Sequence, residues 1–199
     1  MSYLPIEDPG LIGNMHTAAL VGRDGAIDWM CWPHFDSPSL FAALLDDTRG
    51  GVFQIAPVPE GATQRQVYWP ETNVLITRFL CAEGVAEVID YMPVGVERGA
   101  PGFHALVRRV EVIRGQMPMQ MTCVPAFDYA RADHTTTRTA DGAVFRSADT
   151  AFGLATPVDL ARTARGVTST FTLSHGERTC FLLHPVGEGE GGKGEGAGG

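Results

Sequence analysis

The feature that most constrains this chain is a recurring pattern of short extended segments closed by turn residues. Met117, Met119, Met121 and Cys123 alternate with Pro118, Gln120 and Thr122, and Val167, Ser169, Phe171 and Leu173 alternate with three threonines. Period two is the signature of a strand with one face in a core and one face in water. Asp-Gly between such runs is the strongest short-range hairpin signal. It occurs at Asp24-Gly25, between Ala19–Gly22 and Ala26–Trp32, and at Asp141-Gly142, between Thr135–Thr139 and Ala143–Ser147. Ala82-Glu83-Gly84, Arg114-Gly115-Gln116 and Ser174–Glu177 read as further turns. Asn73–Ala82, apolar on both faces, reads as a central strand covered on both sides. Only Ser37-Pro38 looks like a helix entrance, a Ser N-cap with Pro at the first helical position, and it predicts one short helix from Pro38 to Asp46. Roughly a dozen short strands and one helix describe an all-β fold, an antiparallel β-sandwich of the super-sandwich type.

The 199 residues, 44% of them hydrophobic, suit one large domain over 1–186. A domain of this size buries about 70% of the surface its unfolded chain exposes. From Gly187 to Gly199 the sequence is almost entirely Gly and Glu, which cannot bury apolar surface and reads as a flexible tail or linker. A net charge of -8 argues against nucleic acid as a partner. No apolar run reaches the ~18 residues of a membrane span, and MSYLPIEDPG has neither the basic nor the apolar region of a signal peptide. The expectation is a cytoplasmic protein with no membrane contact. Cys31, Cys81, Cys123 and Cys180 stand alone in predicted strands and read as free thiols. The histidines show no ligand spacing and no phosphate loop opens a helix, so no metal or cofactor is expected.

The densest stretch for chemistry is Leu20 to Asp47. Period two places Ile27, Trp29 and Cys31 on one face of their strand and Asp28, Met30 and Trp32 on the other. Asp28 beside Trp32 could hold a sugar, the ring stacking on C–H faces and the acid accepting hydroxyl protons. Against this, a strand tryptophan is more often core and an aspartate more often caps a turn. Asp36, directly before Ser37-Pro38, has a structural role available at the helix entrance. Asn14 and His16 lie in a loop that could reach a ligand. His34 completes the candidate set between Trp32 and Asp36.

LPIEDPGLIGNMHTAALVGRDGAIDWMCWPHFDSPSLFAALLDD resembles the opening of the bacterial glucoamylase and trehalase-like enzymes of glycoside hydrolase family fifteen. The likeness continues through GGVFQIAP, TNVLITRFLCAEGVAEVIDYMP, VRRVEVIRGQMPMQM and FDYAR, and covers nearly all of Leu4 to Pro185. Two positions depart from it. Pro9 stands where an aromatic residue is expected, and His34 where an arginine is usual.

The resemblance implies a division of labour. In such enzymes an N-terminal β-sandwich precedes a linker and a C-terminal (α/α)6 barrel, and the barrel supplies both catalytic glutamates. On that basis this chain is expected to be non-catalytic, with the barrel as its partner and α-glucosides at a shared sugar site. Asn14, His16, Asp28, Trp32, His34 and Asp36 are then candidates for substrate binding or for the domain interface. A free-standing carbohydrate-binding or protein-interaction module is the alternative reading of the same residues.

Overall fold

The computed structural model describes residues 5, 8–95, 104–148 and 150–186. The tail expected from Gly187 onward lies outside the described residues. Among these residues fifteen strands, all paired antiparallel, build two layers that share one long strand. That strand is β9 (Leu106–Val124).

The first layer runs in the order β1 (Gly10–Gly13), β2 (Ala18–Val21), β3 (Ala26–Cys31), β5 (Val52–Pro57), the second half of β9, β14 (Val167–Ser174) and β13 (Ala161–Arg162), with β4 (Ser39–Phe41) paired to β3. The second layer runs β6 (Thr63–Tyr68), β7 (Leu75–Leu80), β8 (Gly84–Tyr91), the first half of β9, β15 (Arg178–Pro185), β12 (Ala151–Ala155), β11 (Gly142–Arg146) and β10 (Thr135–Thr139). Both Asp-Gly signals close hairpins, β2–β3 and β10–β11. The β7–β8 hairpin lies where Glu83-Gly84 predicts it.

Met117, Met119, Met121 and Cys123 are all fully buried, as their alternation predicts. Together with Phe41, Phe53, Phe79, Val110 and Phe181 they belong to one continuous core between the layers. Each such side chain contributes roughly 1.5–3 kcal/mol by leaving water. The edges of the layers are tied as well. The Tyr68 hydroxyl on β6 accepts from Leu11 N on β1 at 2.8 Å and donates to Leu11 O at 2.9 Å.

Three expectations are corrected. Arg114-Gly115-Gln116 is not a hairpin: β9 continues through it and bends from one layer into the other. Gly115 makes this possible at φ 73, where a Cβ would stand 2.1 Å from the Glu83 carbonyl oxygen. The helix predicted over Pro38–Asp46 does not form either. Ser39, Leu40 and Phe41 are all buried as β4, and turns follow to Gly50. Ladder bonds to β3 and burial on both faces outweigh a local N-cap signal worth about 1 kcal/mol.

Third, the strict alternation along β3 is broken. Val21 pairs with Ile27 and Leu20 with Trp29, so Asp28 is an extra, bulged residue. Ile27 therefore joins Met30 in the core, both fully buried, while Asp28 and Trp29 are half-buried.

The one short helical turn among the described residues is α1 (Phe127–Ala130). It is left-handed: Asp128, Tyr129 and Ala130 have φ of 50, 56 and 61°. For L-residues this conformation costs about 1–2 kcal/mol each.

Candidate functional site

Two loops at one end of the first layer bring most of the sequence candidates together. In the β1–β2 loop, Asn14 is 4% exposed. Its Oδ1 accepts from the backbone of His16 at 3.1 Å and of Thr17 at 3.0 Å, and its own N–H donates to Thr17 O. Asn14 thus shapes the loop from inside, as Asx turns do, and leaves His16 exposed on its outer side.

After β3, Pro33 follows a cis peptide bond, and a tight turn runs from His34 to Ser37. His34 N donates to Ser37 Oγ at 3.1 Å, and Ser37 N to His34 O at 3.1 Å. The two loops are stitched by Phe35 N donating to His16 O at 3.0 Å. His34, Phe35 and Asp36 are all exposed. Asp36 has no helix to cap, which removes the structural role expected for it.

A third histidine completes the cluster. The His16 and His34 ring centroids are 6.1 Å apart, and the His104 ring, 9% exposed just before β9, lies 5.2 Å from the first and 5.3 Å from the second. Sequence spacing gave no hint of His104, because three separate elements supply the rings. An imidazole carries both a hydrogen-bond donor and an acceptor nitrogen, so such a rim suits polyhydroxylated ligands or polar loops of a partner. Among the described residues no group of three or more His, Cys, Asp or Glu is placed to hold a metal ion.

The remaining two candidates lie elsewhere. Trp32 is 4% exposed, its ring edge-on to Phe152 at 5.4 Å within the core. A ring so placed is packing, with no face for a sugar, and its Nε1 has no partner among the described residues. Asp28, on the bulge, has a buried Oδ1 that also lacks a hydrogen bond. Burial pushes its carboxyl up to about 6, with Asp24 adding a smaller effect in the same direction. The four cysteines are free thiols. Cys123 is fully buried, and its pKa is driven far upward by that burial.

Residues 2–175 match the family described as trehalase-like, N-terminal. The chain belongs to that family. This trehalase-like N-terminal domain is 39% identical over 142 residues to Trehalase 1 of Sulfolobus acidocaldarius, covering 71% of the chain and 23% of that relative. It is 31% identical over 162 residues to a trehalase of Thermoplasma volcanium, covering 80% of the chain and 26% of the relative. Against a trehalase of Mycolicibacterium smegmatis it is 32% identical over 148 residues, covering 67% and 22%. The domain spans about a quarter of the length of these curated relatives. No helix among its described residues is long and apolar enough to cross a membrane.

Proposed function

We propose that this domain is the non-catalytic N-terminal part of an α-glucoside hydrolase of the trehalase type. In this reading it supports a helical (α/α)6 catalytic barrel, and its His16, His34 and Asp36 rim borders the sugar site of that barrel. The observation that carries the reading is the match to the N-terminal family along nearly the whole chain, against relatives named trehalase that are about four times as long as the matched part. The rim supports it: exposed imidazole and carboxylate groups at one end of an otherwise packed sandwich can meet sugar hydroxyls from the side.

The test is a chimera in which this chain replaces the matched quarter of the Sulfolobus acidocaldarius trehalase. The chimera should hydrolyse trehalose and the chain alone should not. His34→Ala and Asp36→Ala in the chimera should change KM or kcat by about three- to tenfold, the range of one or two exposed polar contacts. Turnover by the chain alone, or unaltered kinetics in both variants, would overturn the reading.

A further inference from the structure

We infer that the outward face of β1–β3, extended by the left-handed turn of α1, is the surface on which the catalytic part of the enzyme docks. The inference rests on the function proposed above and adds the place of contact. A groove of about 220 Å³ runs along this face, lined by Leu11, Leu20, Trp29 and Phe35 among others. Leu11 is 54% exposed and Phe35 62% exposed, a high exposure for large apolar side chains that line one groove.

The apolar surface does not stop at the groove. Trp29 packs against Tyr129 with ring centroids 6.2 Å apart, and Tyr129 lines the adjoining depression together with Leu45, itself 63% exposed. The turn carrying Tyr129 is the second, independent observation. Three successive non-glycine residues are held left-handed there, yet of the four residues in the turn only Phe127 is buried. Backbone strain retained without a matching gain in the core marks a segment kept for what it presents.

The conformation is secured within the turn and by β4. Arg131 donates from Nη2 to Asp128 Oδ1 at 2.7 Å and from Nε to Asp128 O at 3.1 Å, while Tyr129 N donates to the buried Ser39 Oγ at 3.1 Å. The outcome is an aromatic ring fixed beside Trp29 and facing outward. The occupant follows from the relatives. About three quarters of each trehalase lies outside the part that this domain matches, so the enzyme contains a large segment able to cover the face. The histidine rim adjoins the groove through Phe35, so the same docking would bring the rim to the border of the partner.

The experiment is hydroxyl-radical footprinting of the isolated chain and of the chimera described above. Phe35 and Tyr129 should lose about tenfold in modification rate on going from chain to chimera, while Trp69, 55% exposed on the second layer's side, should not change. Phe35→Asp with Tyr129→Asp should lower trehalose hydrolysis by the chimera about tenfold or more, and leave the melting curve of the isolated chain in place. An active chimera in which Phe35 and Tyr129 stay as reactive as in the free chain would overturn the docking inference and leave the proposed function standing. An inactive chimera without protection would count against both. Protection that depends on protein concentration would assign the face to a second copy of the chain, and would likewise overturn the inference.

Discussion

Arg108 and Asp90 form a two-pronged ion pair with both side chains wholly inaccessible to solvent. Arg108 Nε donates to Asp90 Oδ1 at 2.8 Å and Nη2 to Oδ2 at 3.1 Å. Its remaining donors cross the core to the other layer, Nη2 to Gly25 O at 2.8 Å and Nη1 to Phe53 O. The guanidinium also lies over the Phe53 ring, 4.8 Å from its centroid. One side chain therefore links β8, β9, β5 and the β2–β3 turn, and so fixes the root of the strand that leads to the histidine rim.

Removing one partner leaves a buried charge uncompensated, at a cost of about 3–5 kcal/mol. Arg108→Met and Asp90→Leu should each lower stability by that amount in urea titrations. The double variant should lose clearly less than the two single losses added together, because no lone charge remains buried. Strict additivity of the three measurements would show that the pair is not coupled.

Gly25 should be irreplaceable for a separate reason. Its φ is +77°, and a Cβ built on it would stand 2.1 Å from the Ile55 carbonyl oxygen. Its carbonyl also accepts from Arg108 and from Ile55 N at 3.1 Å. Gly25→Ala therefore combines left-handed strain of about 1–2 kcal/mol with a clash against backbone that cannot swing aside. A loss of at least about 2 kcal/mol is expected in chemical denaturation. A near-neutral result would mean that the turn re-forms in another geometry, which circular dichroism and the Arg108 variants would then reveal.

The left-handed turn yields a prediction of the opposite sign. Ala130 has φ 61° and its side chain makes none of the bonds that hold the turn. Ala130→Gly removes the Cβ penalty of about 1–2 kcal/mol and adds back part of it as unfolded-chain entropy. The net should be a gain of about 0.5–1 kcal/mol, read as a higher urea midpoint at unchanged slope. A loss of similar size would show that the turn is not strained at this residue.

Sequence patterns were legible where packing and local chemistry agree. The Met117 to Cys123 alternation and both Asp-Gly hairpins are read directly, since the same residues specify the turn and the buried face. They mislead where a tertiary ladder competes with a local signal. Ser37-Pro38 is a good helix entrance, but Phe41 and Ser39 pair with Met30 and Cys31, and the chain goes extended. A bulge is invisible to period-two counting, and the one at Asp28 moved Ile27 across its strand. The buried ion pair did leave a trace: Arg108 lies in phase with Val110 and Val112, and Asp90 in phase with Ala86 and Val88, single opposite charges on apolar faces. Nothing comparable marks His104, whose nearness to His16 and His34 is set by the fold alone.

Asp28 links the bulge to a pH dependence whose sign follows from burial. Its carboxyl titrates at about 6 in the folded chain against 3.8 for an ordinary aspartate, with burial as the larger cause. The folded state thus holds this proton more tightly than the unfolded chain does. Its favourable contribution is fully present below about pH 4 and is lost as the pH rises through 6. The difference corresponds to about 3 kcal/mol, but the group is only half-buried and solvent screening reduces this to about 1 kcal/mol. Asp28→Asn removes the ionisation and keeps the shape, so it should stabilise the domain by about 1 kcal/mol at pH 7.5 and by much less at pH 4. Urea midpoints for the two proteins between pH 4 and 8 should therefore diverge as the pH rises. Parallel curves, or a variant less stable at pH 7.5, would mean that the Asp28 carboxylate has a stabilising partner in the folded chain.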